Sequence, residues 1–166
     1  MSKATIELHD GRRINIELFD SDAPISVNNF KKLAKEGFYK DLIFHRVIGN
    51  FMIQGGGMDK KLRSKSGAKP IKGEFKSNGV ENNIKHTLGT LSMARTAVKD
   101  SASSQFFICV NDTPHLDGEY AAFGRCSDQE SLRTVIDISR VKTVSVGYYD
   151  DVPETPVVIK DITVTD

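Results

Sequence analysis

Cysteine is scarce in this chain, with two in 166 residues, Cys109 and Cys126. Two thiols so far apart build no disulfide framework and lack the paired spacing of a structural zinc site. Reduced cysteines in a cytoplasmic setting are the expectation. Long apolar runs are absent too. No stretch approaches the ~20 residues that cross a bilayer as a helix. The opening Met-Ser-Lys-Ala-Thr-Ile-Glu shows no apolar core of a secretion signal. Charge of one sign is missing as well: 23 basic against 22 acidic residues leave +1, which gives no general attraction to nucleic acid or to a membrane surface. The four histidines, His9, His45, His86 and His115, include no pair at metal-ligand spacing, so neither a metal nor another cofactor is expected. No Gly-x-Ser-x-Gly elbow of a hydrolase is present. Gln54-Gly55-Gly56-Gly57 lacks the Gly-Lys-Ser/Thr of a phosphate loop, and it reads as a turn that needs positive φ.

What is there suits one globular domain, residues 1–166. The 39% apolar and 27% charged content supports a real core, and no repeat or linker divides the chain. Ala4, Ile6 and Leu8 alternate with polar residues, Asp10-Gly11 supplies a turn, and Ile14, Ile16 and Leu18 alternate again, the pattern of a hairpin. Pro24 opens a helix with Val27, Phe30, Leu33 and Ala34 on one face and Gly37 as its stop. Strand patterns follow at 42–47, 51–54, 90–94, 105–110 and 120–125. Ser127-Asp128-Gln129-Glu130 has capping-box spacing and starts a second helix, with Leu132, Val135 and Ile136 inward. Residues 156–164 read as a last strand. Eight strands and only two helices favour a mainly β fold, and closure into a barrel would remove exposed edges. The stretch 58–85 shows no periodicity and reads as a functional or mobile loop. Its cations, Lys60 to Lys72, lack interleaved aromatics and are expected to be solvated, not bound to nucleic acid.

The richest stretch runs from Ile43 to Gly57. It sets Arg46 just ahead of Phe51, Met52 and Gln54. A guanidinium stays charged and offers five donors in a rigid fork, which a core strand does not use. His45 alone reads as a packed histidine supporting its neighbour. Taken with Leu91-Ser92-Met93-Ala94-Arg95, Ser104-Gln105-Phe106-Phe107-Ile108, Leu116-Asp117-Gly118 and Phe123-Gly124, the stretch closely resembles the cyclophilin family of peptidyl-prolyl cis/trans isomerases, of the compact bacterial type, over essentially the whole chain.

The resemblance implies a closed eight-stranded antiparallel β-barrel capped by two helices, with an active face on its outside. It implies that Arg46 is catalytic, that Phe51, Met52, Phe107 and Leu116 form a proline pocket, and that Gln54 and Gln105 lie beside it. Ala94 and Arg95 would border the residues preceding the proline, and His45 and Tyr120 would complete the rim. Partners would be proline-containing peptides and unfolded or partly folded chains, met as a monomer. A module that only binds proline segments is the rival reading, and the intact Arg46 and Gln54 favour the enzyme.

The chain departs from the family at three places. His115 stands before Leu116 where Trp or Phe is usual, Arg95 where Asn is common, and Tyr120 where animal relatives often have His. A smaller polar ring at 115 offers less contact area than an indole. Cyclosporin is therefore expected to inhibit weakly, and His115→Trp should lower its inhibition constant; an unchanged constant would remove position 115 from drug recognition.

Overall fold

Residue alternation builds the first hairpin. In the computed structural model, which describes residues 1–166, β1 (Ser2–Leu8) and β2 (Arg13–Leu18) pair antiparallel from Ser2↔Leu18 to Glu7↔Arg13. Their alternate residues, Ala4, Ile6, Leu8, Ile14, Ile16 and Leu18, are all buried. Helix α1 (Pro24–Lys35) follows, with proline in its first turn, Val27, Phe30, Leu33 and Ala34 buried, and Gly37 at φ 73° beyond its end. The chain continues through β3 (Arg46–Ile48), β4 (Met52–Gly55), β5 (Thr90–Met93), β6 (Phe106–Cys109) and β7 (Ala122–Cys126). Helix α2 (Gln129–Ser139), the hairpin β8 (Thr143–Val146) and β9 (Tyr149–Pro153), and β10 (Ile159–Thr165) complete it. No helix is long and apolar enough to cross a membrane.

Eight strands form one antiparallel sheet in the order β10-β1-β2-β7-β5-β6-β4-β3. The sheet curls, with α1 against β10 and β7 and α2 against β2 and β4. Closure is looser than a full barrel: no ladder joins β3 to β10. The seam is held by a lone Ile43↔Val158 bridge and by bonds from Phe44 N to Val157 O and from Ile159 N to Leu42 O. This explains why the strand expected at 42–47 is shortened to Arg46–Ile48. Residues 42–44 give their backbone groups to the seam and to Met58 O instead.

Two further expectations need correction. Asp128, not Ser127, caps α2, its carboxylate accepting from Ser131 N at 2.7 Å. Ile138, not Ile136, reaches the core from that helix. The β8–β9 hairpin was not expected. Only Val152 and Pro153 of its strand residues are buried, and Asp150-Asp151 interrupts the alternation that marks a strand.

The 58–85 stretch carries little regular structure, only a 3-10 turn at Lys76–Asn78, yet it is tied down firmly. Ala23 has no side chain to cap α1, and Glu74 supplies the cap from the loop. Its buried carboxylate accepts from Ile25 N (3.2 Å), Ser26 N (2.6 Å) and Ser26 Oγ (2.7 Å). A carboxylate there meets orphan donors and the positive end of the helix dipole. Phe75 is buried beside it, and Asn82 donates to Glu74 O and Ala122 O. Glu74→Ala strands these donors in a buried site and should cost about 2–3 kcal/mol, read as a lower urea midpoint with an unchanged slope. A midpoint within error of the wild type would mean that water satisfies the helix end equally well.

Candidate active site

The pleat gives each strand an inner and an outer side. Val47, Ile53, Leu91, Met93, Phe106 and Ile108 face a core cluster of 31 residues. Their neighbours Met52, Phe107 and Cys109 face the other way and, with Leu116, form a separate cluster of four. Ile48, Phe51, Ala94 and Tyr120 pack against it, partly buried. Register aligns the outward groups. Arg46 pairs with Gln54, Gln54 with Phe107, and Phe107 with Ser92, so one row crosses β3, β4, β6 and β5.

Over this row lies a cavity of about 140 Å³. It is far below the ~300–1,000 Å³ of a drug-sized site and matches a side chain or two. Nine residues line it, among them Arg46, Phe51, Met52, Gln54, Phe107 and Leu116, with Ala94, Arg95 and Tyr120 toward one side. A second, polar cavity adjoins through Gln54, Ala94 and Arg95, and it is there that Gln105 lies.

Arg46 is exposed, has no carboxylate within 4.0 Å, and makes one long bond, 3.4 Å to Gln54 Oε1. Gln54 donates in turn through Nε2 to Gln105 Oε1 at 2.9 Å. The chain of amides orients Gln54 with its carbonyl toward the guanidinium, while most of the guanidinium donors stay free for a ligand. The turn after β4 makes room for this. Gly56 takes φ 88°, and a Cβ on Gly57 would fall 2.4 Å from Gln105 Cγ, so the three glycines serve a close approach of side chain to backbone.

His86 went unnoticed in the sequence as a site residue, and no local motif marks it. Its side chain is fully buried, stacked on Phe107 with centroids 6.0 Å apart and planes 18° apart. Nδ1 meets Asp117 Oδ1 at 3.0 Å, and Nε2 meets Ser92 Oγ at 2.8 Å. A carboxylate only accepts, so Nδ1 carries the proton and the Ser92 hydroxyl donates to Nε2. Burial holds the ring below the usual imidazole value, against the pull of Asp117. The ring thus backs the pocket wall and ties the Leu116 turn to β5.

The Arg95 guanidinium lies over two rings, 4.8 Å from the Phe75 centroid and 4.7 Å from that of Tyr120. It donates to Glu119 O from Nε (3.2 Å) and Nη2 (2.7 Å) and to Thr96 O from Nη1 (2.9 Å). Tyr120 meets Phe107 edge-on at 5.8 Å. Of the remaining expected residues, His115 is exposed and stacks on Phe51 at 5.8 Å, outside the cavity lining. His45 is buried and lines neither cavity. Its Nδ1 has no hydrogen-bond partner, and burial, then the Arg46 charge, push its pKa down to about 4.

The family model for cyclophilin-type peptidyl-prolyl cis-trans isomerases matches residues 3–164. The chain is 47% identical over 151 residues to a peptidyl-prolyl cis-trans isomerase of Acinetobacter baylyi, covering 88% of this chain and 77% of that one. It is 41% identical to peptidyl-prolyl cis-trans isomerase B of Escherichia coli, covering 92% and 94%. Among solved structures, a Cryptosporidium parvum cyclophilin crystallised in the presence of the dipeptide Ala-Pro superposes with a TM-score of 0.78 at 30% identity, over 99% of both chains.

The histidines give this fold a pH dependence. A ring held at about 4 binds fewer protons folded than unfolded, where the value is near ~6.5. The stability that His45 contributes is therefore complete above about pH 6.5 and is lost as pH falls toward 4. Urea midpoints should drop across that window, and His45→Gln should flatten the drop; an equal slope in the variant would exclude His45 as its source.

Proposed function

The chain belongs to the cyclophilin-type family of peptidyl-prolyl cis-trans isomerases, and on that premise we propose that Arg46 is the catalytic residue, turning X–Pro bonds whose proline sits in the cavity walled by Phe51, Met52, Phe107 and Leu116. The observation that carries this reading is the position of Arg46: a guanidinium with no counterion, at the edge of a hole of proline size with apolar side chains on most of its walls, held by Gln54.

The uncatalysed rotation faces a barrier of ~18–20 kcal/mol and takes tens to hundreds of seconds. No bond to a heavy atom forms or breaks. A twisted amide loses resonance, and its nitrogen regains a lone pair that accepts a hydrogen bond. A donor aimed there binds the transition state better than either planar isomer. Arg46 supplies that donor, worth about 3–4 kcal/mol when preorganised. Turnover near ~10³ per second needs about 6 kcal/mol, so the rest comes from orientation and from the dry walls. Planar resonance separates charge between oxygen and nitrogen, and an apolar cavity disfavours that separation relative to the twisted form. Gln105 holds Gln54, Gln54 holds Arg46, and the His86 ring keeps Phe107 in place.

Peptide ahead of the proline would run past Ala94 and Arg95 into the second cavity. Natural substrates on this reading are proline-containing peptides and incompletely folded chains, whose slow prolyl steps the protein would shorten in a cytoplasmic setting. Arg46→Ala should lower kcat/KM on a proline tetrapeptide at least about tenfold with a native circular dichroism spectrum. Because no proton is transferred, the wild-type rate should stay level from about pH 6 to 8. Full activity in the variant removes Arg46 from the role, and a steep bell-shaped profile points to a histidine instead.

A further inference from the structure

We propose that Arg95 makes this site select X–Pro segments that carry a carboxylate on the residue two before the proline; the proposal rests on the isomerase reading above and adds a substrate class to it. Arg95 borders both cavities. It is the one charged residue where they meet, and no acidic side chain lines either of them.

The groups that hold Arg95 fix its place without cancelling its charge. The rings of Phe75 and Tyr120 pack against it, and the carbonyls of Thr96 and Glu119 take three of its five N–H groups. Those acceptors are neutral. Two donors remain, and no carboxylate comes within ion-pair distance of the guanidinium.

Two acids of the neighbouring segments have hydrogen-bond partners of their own. The Glu119 carboxylate accepts from Ser77 Oγ at 2.9 Å. Asp100 Oδ1 accepts from Gly73 N at 2.9 Å and Asn78 Nδ2 at 2.8 Å. Lys99, in the same loop, reaches Ser77 O at 2.6 Å and adds positive charge.

Arg46, also without a carboxylate partner, lines the first cavity too. Two cations without carboxylate partners in the lining of one cleft raise the local concentration of anionic segments. Planar, preordered guanidinium groups take carboxylates by paired hydrogen bonds. The second cavity is otherwise lined by amide and hydroxyl groups such as Gln105, Thr96 and Ser103. A polar acidic side chain entering from the residue two before the proline therefore meets donors there, while a lysine meets a like charge.

The test compares Glu-Ala-Pro-Phe, Gln-Ala-Pro-Phe and Lys-Ala-Pro-Phe peptides by NMR exchange. Expected is a kcat/KM about fivefold higher for Glu than for Lys at ~20 mM ionic strength, shrinking below about twofold at ~0.5 M. The Glu/Lys ratio within each variant should collapse in Arg95→Gln and survive in Arg95→Lys. Equal rates for Glu and Lys, or a ratio untouched in Arg95→Gln, overturn the proposal, as does a larger effect from glutamate placed after the proline. A wild-type readout stands beside the variants: the Arg95 Nη–H resonances should shift further on adding the Glu peptide than the Gln peptide, and equal shifts also overturn it. Failure to accelerate even the Gln peptide would instead sink the isomerase reading, so the two failures are told apart.

Discussion

Everything in this molecule depends on the two-residue period of the β-pleat. One set of side chains on β3, β4, β5 and β6 is committed to a core of 31 residues, and the alternate set stands outside it. A slip of one residue in any pairing would exchange the two sets, placing Arg46 and Gln54 in the core and Ile53 in water. The burial of Val47, Ile53, Phe106 and Ile108 therefore holds the outward row in register. The alignment of the outward row is a by-product of core packing.

What the sheet leaves open, long-range contacts complete. Glu74 reaches from an irregular loop to the start of α1 and fixes Phe75 beside it. Phe75 then supports one face of Arg95, Arg95 supports Tyr120, Tyr120 meets Phe107, and His86 lies behind Phe107. Five side chains from distant parts of the chain form one continuous stack around the pocket. The stretch without regular structure is thus as determinate as the strands, because its polar groups find buried partners.

Much of this was legible in the residues themselves. The hairpin, both helices and most strands announced themselves by period, and the Phe44–Gln54, Leu91–Arg95 and Ser104–Ile108 segments, with Leu116–Gly118 and Phe123-Gly124, carried the family likeness. The failures have physical causes. Leu42 to Phe44 have the composition of a strand, but their hydrogen bonds go to a seam that only the closed sheet creates. The β8–β9 hairpin buries little, so the apolar signal that reveals strands is weak there. Asp128 outcompeted Ser127 as cap because it also accepts from Asn15 Nδ2, 113 positions away. His86 was invisible for the same reason: its three partners lie 6 to 31 positions off, joined only by folding. The packing of Arg95 likewise depends on Phe75, which no local pattern connects to it.

The separation of the outer cluster from the core has a further implication for how such a chain can change over generations. Substitutions at outward positions such as Ala94, His115 or Tyr120 touch the small cluster and its rim, while the large one keeps its packing. Recognition can drift through many variants before thermodynamic stability suffers, so a scaffold of this kind tolerates diversification of clientele at low risk of losing the ability to fold.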